Sequence, residues 1–178
     1  LSFGVARAIS SNWSVSGLVP IEQNVHPDGG YHHALSDPTL TLRKVEWVQV
    51  DGQWYPELHL HSSIKAPIGR SIAESEKDHL MDVHGNGFWE WMNGFDAWYS
   101  LSRWRMGVSG LYVVRRPSEA VRRQEATRRE YGATVKVKSS FAYMLHGVGE
   151  LGVALERESK SRDKARGIDV ADSDVLAY

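Results

Sequence analysis

The 178-residue sequence predicts an α+β fold, one domain spanning 1–178. In it a hairpin-centred antiparallel or mixed sheet carries a β-α-β unit, with helices mainly on one side. Three stretches support that prediction. Thr39–Ser63 reads as a β-hairpin, Phe88–Arg105 places aromatic residues at helical spacing, and Gly107–Lys138 runs strand, helix, strand.

Residues 1–38 read as an irregular N-terminal segment. Leu1, Phe3 and Val5 alternate as in a short strand, but Pro20, Pro27, Gly29, Gly30 and Pro38 mark residues 19–38 as loop. In the hairpin, Asp51-Gly52 is the pair favoured by a two-residue turn whose central residues need positive φ. That turn fixes a register in which Gln49 faces Trp54, Trp47 faces Pro56, Val45 faces Leu58 and Arg43 faces Leu60. This mostly apolar face should pack on the core. The other face brings Glu46 opposite Glu57, Lys44 opposite His59 and Leu42 opposite His61. Pro56 cannot donate to a ladder, so a bulge or an edge is expected there.

Ser71 and Glu74 form a capping-box pattern that opens a helix ending near Val83. Phe88, Trp91, Met92, Phe95, Trp98, Tyr99 and Ser102 make an amphipathic helical stripe. Asn93-Gly94 offers a hairpin alternative, with Trp89 opposite Trp98. Gly107–Arg115, which contains Leu111-Tyr112-Val113-Val114, reads as a strand, Pro117–Glu130 as a helix and Ala133–Lys138 as a second strand, a β-α-β unit. Phe141 onward is ambiguous, with helical spacing weakened by glycines. Residues 156–178 form a charged, mobile tail.

The chain has no cysteine, which excludes disulfides, thiolate metal sites and a cysteine nucleophile. No transmembrane run or secretory segment is visible, so an intracellular protein without a membrane partner is expected. The first residue is Leu1, which leaves a removed targeting segment open. Net charge is −1, yet Arg103–Lys138 holds ten basic residues against three acids. Arg115, Arg122 and Arg129 are spaced by sevens, the last two on one side of the predicted helix, while Arg116 and Arg123 repeat that spacing one residue along. Lys136 and Lys138 share one face of the next strand, with Val135 and Val137 on the other.

Arginine forks suit phosphate, and Trp104 beside Arg105 could stack on an unpaired base. The leading expectation is therefore a nucleic-acid-binding or nucleoprotein-associated module. It would grip RNA or single-stranded DNA through Trp104, Arg105, Arg115, Arg116, Arg122, Arg123, Arg129, Lys136 and Lys138. An acidic protein surface is the other partner such a patch would fit.

Two further readings stand beside it. Glu46, Glu57, His59 and His61 could form a metal-dependent hydrolase site on the polar hairpin face, so a divalent metal is possible although no cofactor is required. The aromatic segment could instead dock this chain into a larger protein assembly as a structural subunit. His59-Leu60-His61 is similar to the His-x-His strand of the cupin family, but Lys65 and Ala66 stand where that family's glutamate would come. Gly147–Gly152 matches G-x-G-x-x-G, which would imply a dinucleotide site if a strand preceded it and a helix came after. Nothing in the sequence requires an enzyme.

Overall fold

The computed structural model describes residues 1–25, 31–50, 54–71, 83–117, 129–145, 149–161, 163–165 and 168–170. Within them every regular element is a strand. These are β1 (Ser2–Ala8), β2 (Trp13–Val25), β3 (Tyr31–Leu35), β4 (Thr39–Trp47), β5 (Glu57–Lys65) and β6 (Phe88–Leu101). They continue with β7 (Trp104–Pro117), β8 (Arg129–Glu130), β9 (Thr134–Leu145), β10 (Gly149–Lys160), β11 (Asp163–Ala165) and β12 (Ile168–Val170). Nine of them form one sheet in the order β1-β2-β4-β5-β6-β7-β9-β10, with β3 beside β2. The short strands β12, β11 and β8 form a second, three-stranded sheet.

All pairings in the large sheet are antiparallel. It is an up-and-down meander, and the α+β expectation is wrong. Strands β7 and β9 are direct antiparallel neighbours, which a β-α-β crossover cannot produce. Phe88–Arg105 is not a helix. It supplies β6 and the start of β7, joined at Ser102-Arg103, where Ser102 takes a left-handed φ of 55°. Asn93-Gly94, the alternative turn, lies in mid-strand. The N-terminal segment is not irregular, since β1, β2 and β3 occupy most of it. Glu156–Lys160 completes β10 instead of beginning a mobile tail. Gly149–Gly152 opens the same strand, so the glycine pattern leads into no helix N-terminus. The helix expected from Ser71 and the one expected from Pro117 lie mostly outside the described residues.

The hairpin strands do pair, but in another register. Arg43 faces His61, Lys44 faces Leu60 and Val45 faces His59, with a bulge between Val45 and Trp47. A slip of one residue turns a strand over. Leu58 and Leu60 therefore share the face of Leu42 and Trp47, while Glu57, His59 and His61 join Arg43 on the other. Asp51-Gly52 lies outside the described residues.

Strands β3 and β4 behave as one long strand broken at Ser36-Asp37-Pro38. Both lie on the same side of β2, and Ser36 N still donates to Pro20 O at 2.9 Å. At this break the Asp37 side chain turns inward and is buried to 1% exposure.

The two faces of the sheet are chemically opposite. One carries Phe3, Val5, Val15, Val19, Leu40, Leu42, Leu60, Ile64, Trp91, Phe95, Val108, Val114, Val135, Val137, Val153 and Leu155. Most of these are well exposed: Trp91 at 60%, Val153 at 71%, Leu155 at 76%. The other carries serines, glycines and charged residues, and there the buried side chains collect, including Thr134, Ser63 and Glu90. Val113 and Ala142 are the buried apolar residues among those described, and both lie on this second face. The sheet curls toward it: a cavity of about 350 Å³ is lined from five successive strands, β5, β6, β7, β9 and β10. The fold is inside out, polar within and apolar without.

Candidate functional site

The concave wall is the place where polar chemistry gathers, and strand alternation builds it. At the end of the long connections, Lys65, Glu90 and Arg115 sit side by side on β5, β6 and β7. Arg115 Nε donates to Glu90 Oε1 at 2.9 Å, and its Nη1 donates to Thr134 Oγ1 at 2.7 Å. Lys65 Nζ lies 3.8 Å from Glu90 and 3.9 Å from Asp37. Asp37 accepts hydrogen bonds from Gly69 N at 2.9 Å and Asn86 N at 2.7 Å, pinning both sides of the β5–β6 connection. Each acid here is countered, as partly buried charges require.

Below this lies the cavity, lined by His61, Asp96, Ser109, Gly110, Leu111, Lys136, Lys138 and Glu156. His61 Nδ1 is 3.5 Å from Asp96 Oδ2. Gly94 gives the ring room, because a Cβ there would overlap the imidazole. Lys136 pairs with Glu158 at 2.7 Å. On the β4–β5 side, Arg43 Nη2 donates to His59 Nδ1. Arginine has no acceptor, so the ring proton sits on His59 Nε2, which donates to Glu57. Nearer the short turns, the Trp98 ring lies across Gly107 and carries the Arg105 guanidinium 4.5 Å from its centroid.

The outer face ends in aromatic side chains. Trp104 stacks on Phe141 at 4.8 Å and meets Tyr143 edge-on at 4.6 Å. Trp13, Trp47 and Tyr99 lie toward the same end of their strands, whereas Trp89 and Trp91 lie toward the other. Polar groups within the apolar band satisfy one another: Trp91 Nε1 donates to Ser62 Oγ, and Ser62 donates to Asn93 Oδ1 at 2.9 Å.

The residues expected to bind nucleic acid do not form one surface. Arg105, Arg115, Lys136 and Lys138 point to the concave side, while Trp104 and Arg116 are on the outer face, Trp104 inside the aromatic cluster. Arg115 and Lys136 are each locked to a glutamate. Arg122 and Arg123 lie outside the described residues, and Arg129 is placed only as a member of β8. The hydrolase constellation also separates. Glu57, His59 and His61 share the concave wall, but Glu46 lies at the β4 bulge and pairs with Lys44. Among the described residues no group of three or more His, Asp or Glu is arranged to hold a metal ion. The aromatic stripe expected to dock into an assembly is divided between the two faces of a strand. No motif in the sequence marks Asp37, Lys65, Glu90, Asp96 or Glu156. For the four on strands the signal is period-two alternation, plainest in the sequence at Val135–Lys138, whereas Asp37 lies in the break between β3 and β4.

No protein-family model and no curated protein matches this chain. Among solved structures it is similar to an outer membrane channel from Pseudomonas putida F1. The TM-score is 0.65 at 15% identity, over 93% of this chain and 61% of that one. At such identity the likeness shows the fold alone. Together with the apolar exterior, it overturns the expectations of a nucleic-acid or acidic-protein partner, of an intracellular location and of no contact with a membrane. A soluble protein would not leave so continuous an apolar face in water.

Proposed function

We propose that this chain forms the wall of a membrane-spanning β-barrel, with its concave face lining a water-filled path for small polar solutes across an outer membrane. One observation carries the reading: the side chains alternate apolar-outward and polar-inward along eight neighbouring strands, with the apolar set exposed. That is the pattern lipid on one side and water on the other would select. Strands of 12–14 residues in β6, β7, β9 and β10 exceed what a tilted strand needs to cross the hydrocarbon. The aromatic clusters at either end suit the two interfaces.

Hydrocarbon offers no partner to an open ladder, so edges β1 and β10 must be closed in the membrane. β1 runs toward the short turns and β10 runs away from them. They are therefore antiparallel, and meet directly or through an even number of further strands. The solved channel that resembles this chain is longer, which accommodates either arrangement.

Conduction is the test. The protein added to a planar lipid bilayer is expected to give discrete, ohmic current steps in potassium chloride. Protein that folds in detergent but gives no steps, and leaves liposomes impermeable to every small solute, would refute the pore.

A further inference from the structure

We propose that the cavity on the concave wall is a selective subsite for small zwitterions, holding an ammonium group at Asp96 and a carboxylate at Lys138. This deepens the pore reading and rests on it.

One register row carries Asp96, Ser109, Lys138 and Glu156 on the adjacent strands β6, β7, β9 and β10. Strands lie about 4.8 Å apart, so Asp96 and Lys138 are rooted roughly 10 Å from each other. The residue between them is a serine, short enough to leave the space that the cavity records. Leu111 and the Gly110 backbone add an apolar patch at its floor, suited to a short aliphatic group.

The surrounding charges are already engaged. Lys136 is held by Glu158, Glu57 by His59, and Glu90 by Arg115 and Lys65. By contrast, Lys138 has no ion-pair partner within 4.0 Å among the described residues, and Asp96 has His61 only at 3.5 Å. Opposite charges with spare capacity thus bracket one hole. A simple anion entering it would meet Asp96 and Glu156, and a simple cation would meet Lys138. A molecule carrying both signs satisfies both walls. The cavity's 350 Å³ is near the lower limit for ligand sites, which restricts the guest to a small one.

Alanine and lactamide are isomers, one zwitterionic and one neutral, so size cannot separate them. In liposomes containing the protein, alanine is expected to enter faster than lactamide, by roughly tenfold at low concentration. Lys138→Met and Asp96→Asn should each abolish that advantage while leaving lactamide entry unchanged, which shows the pore still folded. Lys138→Arg should restore it. Equal rates for the two isomers through the unsubstituted protein would overturn the subsite and leave the pore standing. So would an alanine advantage that survives Lys138→Met. If neither solute enters, the pore itself fails and the subsite with it.

Discussion

Glu90 and Arg115 face each other across β6 and β7, joined by a 2.9 Å hydrogen-bonded ion pair, with side chains only 11% and 17% exposed. Glu90 is therefore an acid held in the wall by its partners. Arg115→Met would strand it beside Lys65 alone, at 3.8 Å. Removing one member of a largely buried pair costs about 3 kcal/mol. The urea midpoint of the detergent-folded protein should fall accordingly, and Arg115→Met with Glu90→Leu should recover most of the loss. A double variant as unstable as the sum of the two single ones would show that the pair is uncoupled.

Asp37 makes a different kind of claim, because its carboxylate accepts from backbone amides on both sides of the β5–β6 connection. Asp37→Ala leaves the Gly69 and Asn86 N–H groups without an acceptor. Hydrogen bonds to a charged group contribute about 1.5–3 kcal/mol each. Amide exchange at Gly69 and Asn86 is expected to accelerate by roughly 100-fold, with mid-strand amides such as that of Val108 unchanged. Acceleration spread evenly over the sheet would mean that Asp37 supports the whole fold and not this junction.

How much of this can be read from residues alone differs from strand to strand. Val135-Lys136-Val137-Lys138 displays its alternation openly, and its two faces are as expected. Phe88–Arg105 does not, because tryptophans occur on both faces: Trp89 and Trp91 outward, Trp98 inward across Gly107. Aromatics at 91, 95, 98 and 99 then imitate a helical stripe. The hairpin register expected from Asp51-Gly52 is one residue off, and the assumption that apolar residues face a core misplaces Leu58 and Leu60, which face away from the polar interior. The wall itself is hidden in the sequence, because Lys65, Glu90 and Arg115 meet only through pairing across three strands. No local motif announces such a meeting.

The orientation of the barrel is set by its connections. Residues 9–12, 48–56, 102–103 and 146–148 join strands at one end, and the longer stretches 66–87 and 118–133 join them at the other. Outer-membrane barrels keep their short turns on the periplasmic side. The chain has no cysteine, so single cysteines can be introduced without background. Asn86→Cys should react with an impermeant maleimide on intact cells, whereas Ser102→Cys should react only after the outer membrane is opened. The reverse pattern would invert the assignment.

The outer face gives the most direct test of its solvent. Val108 lies in mid-strand on that face, between Ala97 and Ser139 in the register, and is 45% exposed. Ala154 is also exposed and in mid-strand, but on the concave side, opposite Ser140. In water, arginine at either exposed site would cost little. With lipid outside, Val108→Arg should cost about 2–4 kcal/mol, the penalty for a cation near the bilayer midplane. Ala154→Arg, remaining in the aqueous interior, should shift stability by no more than about 0.5 kcal/mol. Reversible unfolding from lipid vesicles measures both. Equal, small effects would mean that Val108 faces water, and the two faces would lose the asymmetry on which the membrane assignment depends.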